Sequence, residues 1–264
     1  MLAGFGLMED EDIELDLAAL LLSEQDHPGV DLAPYRALLV EMGEQLAVVG
    51  ADAEGGLAQG AALASVFADD FGFSGDVETY DAPLNADLIR VLDRRRGLPV
   101  SLSILYVAAA RRMGWAAFAL NTPGHVLVRV GEESPIIIDP FNRGAQVMPD
   151  RLMALLARTP APDEASRQSQ VAPLSNRGVL VRLLINQASR AEQAGDALRA
   201  MTIYERMTVV APDHADGWWA LARLQLSANQ PDAARQSLSA LLEVTRDPER
   251  RDLAFAALDA IAPR

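Results

Sequence analysis

The fold prediction starts from Gly97-Leu98-Pro99-Val100-Ser101-Leu102-Ser103-Ile104-Leu105-Tyr106, which joins two helices through a short break. Gly97 is typical of the position just past a helix end, and it follows three arginines that suit the negative end of a helix dipole. Pro99 and Ser101 then mark a new helix start. The residues that follow, up to Gly114, are apolar on nearly every side, which predicts a buried helix.

The periodicity changes from helical to alternating after this helix. Residues 115–120, 125–130 and 136–139 are short apolar runs, and a polar turn over residues 131–135 separates the last two. Such runs bounded by turn residues are typical of strands. They predict a three-stranded antiparallel sheet packed on the buried helix.

The sequence also predicts one contact between side chains. If the last two strands form a hairpin centred on residue 132, His125 and Asp139 lie directly opposite each other. Opposed residues have Cβ atoms about 4.5–5.5 Å apart, so Asp139 can hydrogen-bond His125. A slip of one residue in the register would instead put the two side chains on opposite faces of the sheet.

Three side chains in this region are candidates for a catalytic site. Their order along the chain suits a nucleophile, a general base and a group that orients the base: Ser101, His125 and Asp139. Each side chain also has a plainer interpretation. Ser101 suits a helix N-cap, His125 a strand residue with its hydrogen bonds satisfied, and Asp139 a turn former before Pro140. Asn121 is either a positioning residue for the loop before His125 or an ordinary turn residue.

The composition narrows the classes of function. The 264 residues include 37 acidic and 23 basic side chains, which gives a formal net charge of -14. An excess of this size repels phosphate groups, so we expect no binding to nucleic acid or anionic membranes. The chain has no cysteine, which excludes disulfides, thiolate metal sites and a cysteine nucleophile. The three histidines are far apart in sequence, and nothing in the composition implies a metal or a cofactor.

The first residues do not resemble a secretory signal. Residues 8–12 are mostly acidic where a signal peptide is basic, and no apolar run is long enough to span a bilayer. We therefore expect a cytoplasmic protein. The N-terminal third has helical periodicity and predicts a helical layer that covers a core.

A second helix–break pattern precedes the central stretch. Asn85 is placed to cap a helix that runs to Arg96 and ends in the arginines at 94–96. These arginines have two interpretations. They end the helix and solvate its surface, or they form an anchor for a carboxylate or a partner.

The C-terminal part is helical and repetitive from about residue 176. A shift of 34 residues aligns four pairs of residues: Leu184 with Trp218, Ala188 with Ala222, Ala200 with Ala234, and Tyr204 with Leu238. This period resembles the tetratricopeptide repeat. Two repeats are too few to stand alone, so we expect a helix at 249–262 to cap them. Trp218 and Trp219 either pack between the repeats or line a peptide-binding face.

The segment from about residue 63 to 148 resembles the transglutaminase-like core in its bacterial SirB-like form, which is followed by tetratricopeptide-type helices. The resemblance rests on six motifs: Phe71-Gly72-Phe73-Ser74-Gly75, Tyr80, Pro83-Leu84-Asn85, Val91-Leu92-Asp93-Arg94-Arg95-Arg96-Gly97-Leu98-Pro99-Val100-Ser101-Leu102, Asn121-Thr122-Pro123-Gly124-His125 and Ile138-Asp139-Pro140-Phe141. It implies an α+β fold, with a papain-like helix and antiparallel sheet followed by all-α repeats. The expected organisation is a first domain over 1–158, a connection over 159–175 and repeats over 176–264.

The resemblance also implies roles for the candidate residues. Enzymes of this type use a cysteine at a helix start with a histidine and an aspartate from neighbouring strands, which correspond to Ser101, His125 and Asp139. A serine hydroxyl is far less acidic than a thiol and needs a general base and an oxyanion hole. We therefore expect an interaction or regulatory protein with a degenerate core that binds a protein or peptide through its repeats. The alternative is a Ser-His-Asp hydrolase or acyltransferase that acts on an amide or ester. A third interpretation is a structural module that binds through residues 94–96.

Overall fold

A computed structural model describes residues 2–158 and 170–261. The contacts within the chain form two units. Asp10–Leu180 forms the first, and Met1–Glu9 together with Val181–Arg264 forms the second. Residues 159–169 of the predicted connection over 159–175 lie outside the described residues. Among the helices of these two ranges, none has both the length and the apolar character needed to cross a bilayer.

The first unit combines α-helices with a small sheet. The bounds of the helices are Leu15–Glu24 (α1), Ala33–Val49 (α2), Gly55–Ala64 (α3), Leu88–Arg94 (α4), Pro99–Arg112 (α5) and Pro149–Leu156 (α6). Residues 99–110 of α5 are all buried, as its nearly uniform apolar surface predicts. α5 packs against α1, α2 and the sheet, so it forms the centre of this unit.

The sheet lies against α5 and consists of four antiparallel strands. They are Ala117–Leu120 (β3), Leu127–Val130 (β4), Ile136–Asp139 (β5) and Ala145–Gln146 (β6), in that order across the sheet. The three strands predicted from the sequence are present, and β6 adds a fourth. A separate parallel pair joins Ser74–Gly75 (β1) to Arg96–Gly97 (β2). The structure thus confirms the α+β class and the antiparallel sheet.

The register of the β4–β5 hairpin differs from the predicted one. Val128 pairs with Ile138 and Val130 with Ile136, so the hairpin is centred on residue 133. Continued by one residue, this register puts Asp139 opposite Leu127, while His125 lies before β4. The shift between His125 and Leu127 is two residues, which keeps both side chains on one face. The prediction of the face was therefore right, and the prediction of direct opposition was wrong.

Two predicted helix caps are also wrong. Asp87, not Asn85, caps α4, because the Asp87 carboxylate accepts the N–H of Arg90 at 3.3 Å. α5 begins at Pro99, so the residue before it, Leu98, occupies the N-cap position without a side-chain hydrogen bond. Ser101 lies inside the first turn of α5. The N-cap interpretation of Ser101 therefore does not hold.

The end of α4 also differs from the prediction. The residue with left-handed backbone is Arg95, at φ 57°, and Gly97 belongs to β2. The close approach of Val91 explains the glycine, because a Cβ on Gly97 would lie 3.0 Å from both Val91 methyl groups. Gly97 thus serves packing between α4 and α5 and does not end α4.

The second unit contains the predicted repeats. Its helices are Asn176–Gln193 (α7), Ala197–Val210 (α8), Ala215–Ser227 (α9), Pro231–Val244 (α10) and Pro248–Ala260 (α11), with the division between the units falling inside α7. α8 and α10 begin and end 34 residues apart, which confirms the period. α11 packs on α10 and shares a core of Ala222, Leu238, Leu241 and Ala254.

The start of the chain belongs to the repeats. A 3-10 helix over Leu2–Leu7 packs on α8. Gly6 lies so close to that helix that a Cβ would be 2.7 Å from the carbonyl oxygen of Val209. No pattern in the sequence indicates this contact.

Candidate active site

His125 and Asp139 form a hydrogen-bonded pair beside the sheet. The Nε2 atom of His125 lies 2.8 Å from Oδ1 of Asp139. A carboxylate only accepts hydrogen bonds, so Nε2 carries the proton and Nδ1 is the ring nitrogen that can accept one. The His125 side chain is 17% exposed and that of Asp139 is 2% exposed. This is the arrangement that a general base and its orienting carboxylate need.

The chain that follows β5 holds the Asp139 carboxylate in place. Oδ1 of Asp139 also accepts the backbone N–H of Asn142 at 3.3 Å, which closes the turn after the strand. Oδ2 lies 3.7 Å from a guanidinium nitrogen of Arg151. Asp139 is therefore both a turn former and the partner of His125, and its two interpretations are compatible.

Ser101 is turned toward a backbone carbonyl. Its hydroxyl donates to the carbonyl oxygen of Asn85 at 2.8 Å, and the residue is 1% exposed. The same oxygen accepts the N–H of Leu98 at 3.0 Å. A hydroxyl has one proton to donate. In this rotamer Ser101 therefore does not donate a hydrogen bond to His125. Of the three candidate residues, the structure brings together His125 and Asp139.

A polar network around the buried residues Asp76 and Asn85 fixes the carbonyl that holds Ser101. The Asn85 amide donates to the carbonyl oxygen of Thr79 at 2.6 Å and accepts from Arg94 at 2.8 Å. Arg94 also donates to Asp76 at 2.6 Å, and the Thr79 hydroxyl donates to the same carboxylate at 2.7 Å. Burial alone would raise the pKa of Asp76, but the hydrogen bonds from Thr79 and Arg94 outweigh it and hold the pKa well below its ordinary value.

Sequence reasoning did not find this network. No pattern in the sequence singles out Asp76, and Asn85 and the arginine run are both predicted to have other roles. The carboxylate that Arg94 anchors belongs to the chain itself. Arg96, in contrast, donates to the backbone carbonyl of Gly72.

An aromatic ring packs against His125. The ring of Phe141 lies edge-on to His125, with 5.8 Å between centroids, and edge-on to Tyr80 at 5.7 Å. Phe141 covers Gly75 so closely that a Cβ there would lie 2.4 Å from its ring. The glycine in the Phe71–Gly75 motif is therefore required by the ring that supports His125.

The repeat tryptophans pack into the second unit. Trp218 and Trp219 both lie against the core shared by α9, α10 and α11. The Trp218 indole N–H also donates to the carbonyl oxygen of Pro212 at 2.7 Å. The packing interpretation of this pair is therefore met for both residues. Over residues 2–158 and 170–261, no three histidine, aspartate or glutamate side chains converge as metal ligands.

Comparison with known families matches both parts of the chain. The family model described as the transglutaminase-like superfamily matches residues 34–185, and the tetratricopeptide repeat model matches residues 191–257. The first match covers more than half of the chain. Tetratricopeptide repeats generally mediate protein–protein interactions.

Several bacterial proteins are similar over most of their length. A UPF0162 protein of Xylella fastidiosa (strain 9a5c) is 29% identical over 252 residues, which cover 93% of this chain and 84% of the relative. A UPF0162 protein of Vibrio cholerae is 29% identical over 198 residues, or 72% of this chain and 73% of the relative. F-box only protein 21 of Homo sapiens is 36% identical over 95 residues, which cover 33% of this chain and 15% of that protein. The match over residues 34–185, on a helix-and-sheet unit followed by repeats, means that the chain belongs to the transglutaminase-like superfamily.

Proposed function

We propose that this protein is an interaction protein with a regulatory role, whose transglutaminase-like unit has lost catalysis and whose repeats bind a protein partner. One observation carries the first half of the proposal. The Ser101 hydroxyl is buried and donates to the Asn85 carbonyl, although a serine nucleophile has to give its proton to a base. The tetratricopeptide match supports the second half. The expected cytoplasmic location is part of the same proposal, and cell fractionation tests it.

Site-specific photo-cross-linking of the full chain tests the partner surface. A photoreactive amino acid is placed at Leu198 or Phe255 of the repeats, which are 72% and 48% exposed, and at Val48 of α2, which is 74% exposed, as the control. We expect one identified protein to cross-link from the repeats and not from α2. Cross-links that come equally from all three positions, or only from Val48, would contradict a repeat-borne surface.

A hydrolase or acyltransferase is the second candidate. The His125–Asp139 pair favours it, because its geometry leaves Nδ1 of His125 as a base. In such an enzyme Ser101 would turn from the Asn85 carbonyl and attack an amide or ester. His125 would take the proton, and Asp139 would hold the imidazole.

A fluorophosphonate probe separates the two candidates. We expect no labelling of the folded protein, because Ser101 donates to a carbonyl and not to a base. Labelling that disappears in both Ser101→Ala and His125→Ala would instead support the hydrolase. Circular dichroism of all three proteins controls for folding.

A further inference from the structure

The second repeat and the last helix line a cavity of about 340 Å³ that is open to solvent. Its apolar lining includes Trp219 of α9 and Leu253 of α11. Leu253 is 54% exposed, so this apolar side chain is accessible from solvent at the cavity. The volume is at the small end of the range for ligand cavities, so it suits one long side chain better than a whole peptide.

Carboxylates dominate the charge of this cavity. Its lining includes three carboxylates, those of Asp216, Asp247 and Glu249. Among the described residues that line it, Arg250 is the one cation. Three carboxylates and one guanidinium leave two negative charges. The cavity therefore attracts a cation and repels phosphate or carboxylate ligands.

The chain already places one guanidinium at these carboxylates. Arg250 forms an ion pair with Asp216, and its Nε atom lies 3.3 Å from Oδ2 of Asp247. Within the described ranges, no cation lies within ion-pair distance of the Glu249 carboxylate. Glu249 is exposed at the start of α11. A second cation could thus pair with the Glu249 carboxylate, next to the two aspartates that already bind the Arg250 guanidinium.

We propose that this cavity binds an arginine side chain in an exposed basic segment of the partner protein. The inference rests on the proposed function and names the chemistry of the partner. A guanidinium stacks on an aromatic ring and binds a carboxylate through two parallel hydrogen bonds, whereas a lysine ammonium is a point charge. Trp219 and Leu253 supply the surface for stacking, and Glu249 supplies the carboxylate.

Titration of the full chain with model peptides tests the inference. The probe is an acetylated, amidated pentapeptide with arginine at its second and fourth positions and glycine elsewhere, and matched peptides carry lysine or glutamate. We expect the arginine peptide to bind and to shift the Trp219 indole N–H resonance, which Trp219→Phe assigns. The lysine peptide should bind at least about threefold more weakly, because it lacks stacking. The glutamate peptide should not bind.

Two variants locate the binding. Glu249→Gln should weaken binding of the arginine peptide by about three- to fivefold, the upper part of the range for an exposed charge pair. Glu243→Gln, the same change at an exposed residue of α10 outside the cavity, should leave the affinity within twofold. Equal binding of the arginine and lysine peptides, or an unchanged affinity in Glu249→Gln, would overturn the inference.

The two proposals fail in different ways. If cross-linking identifies a partner on the repeats but the arginine peptide does not bind, the proposed function stands and the cavity assignment falls. If the peptide binds at the cavity and no cross-linked partner is found, the chemistry of the cavity stands and the interaction role loses its support.

Discussion

At the scale of single residues, Asp76 holds together the network around the Asn85 carbonyl. Asp76→Asn removes a buried charge and leaves Arg94 without its carboxylate partner. Breaking a buried ion pair costs about 3–5 kcal/mol, and the one-third exposure of Arg94 reduces this to about 2–3 kcal/mol of unfolding free energy at pH 7. Urea denaturation measures the loss. A loss below about 0.5 kcal/mol would contradict a structural role for Asp76.

The lowered pKa of Asp76 predicts that the unfolding free energy depends on pH. Because the pKa of Asp76 in the folded state lies below the ordinary value of about 3.9, its contribution is complete above about pH 5. It is lost as the pH falls toward the folded pKa. The difference between the wild type and Asp76→Asn should therefore shrink between about pH 5 and pH 3. Asp52→Asn, at an exposed position, should differ little from the wild type throughout.

A cysteine in place of Ser101 tests whether this position is accessible and activated by His125. A cysteine at position 101 that stays buried reacts slowly, whereas a cysteine next to an imidazole base ionises and reacts fast. We expect Ser101→Cys to react with iodoacetamide at least about tenfold more slowly at pH 7 than Ser134→Cys, a matched cysteine in the exposed turn after β4. Faster reaction of Ser101→Cys, lost on adding His125→Ala, would favour the enzyme.

At the scale of elements, two glycines in helices predict opposite effects of one substitution. A Cβ on Gly56 of α3 would lie 2.5 Å from the carbonyl oxygens of Val130 and Ser134, so α3 would have to move off the hairpin. Gly56→Ala should lower the unfolding free energy by about 1–3 kcal/mol. Gly43 of α2 has no atom within 4 Å of such a Cβ, so Gly43→Ala should raise it by about 0.5–1 kcal/mol. Thermal denaturation of both variants measures the signs, and two shifts of the same sign would contradict this packing.

The hairpin shows what sequence can predict about an element. Alternation of apolar residues identifies the face of a strand, so it placed His125 and Asp139 on one side of the sheet. It does not fix the register, because the backbone of the turn does that. Gly131, at φ +97°, follows β4 in a five-residue turn that moves the centre of the hairpin to residue 133.

Helix ends are predicted less well for a related reason. Asn85 and Ser101 both have the chemistry of a cap, but each instead forms hydrogen bonds with residues outside the helix turn that it would cap. Cap preferences describe local hydrogen bonds, and burial made these others more favourable here. The two exceptions to local rules adjoin the candidate site, which is where such conflicts are expected.

At the scale of the whole molecule, the 34-residue period was visible in the sequence and the role of the chain start was not. Repeats are detected because helix bounds recur, as those of α8 and α10 do. Residues 2–7 have no such counterpart, and their packing on α8, where Gly6 approaches Val209, shows that they belong to the second unit. Membership in a unit is therefore a property of packing, and it can be tested by cooperativity.

Hydrogen exchange should show two independently cooperative units. Leu238 is fully buried in α10, so Leu238→Ala should cost about 2–5 kcal/mol and speed exchange at least about tenfold in α8–α10 and in residues 2–9. Exchange in α5 should not change. Gly56→Ala should have the reverse effect, because α3 and α5 both belong to the first unit. Mass spectrometry of the two variants resolves these peptides. If either variant sped exchange equally in α5 and α10, the chain would unfold as one unit. If exchange in residues 2–9 changed together with exchange in α5, the chain start would belong to the first unit.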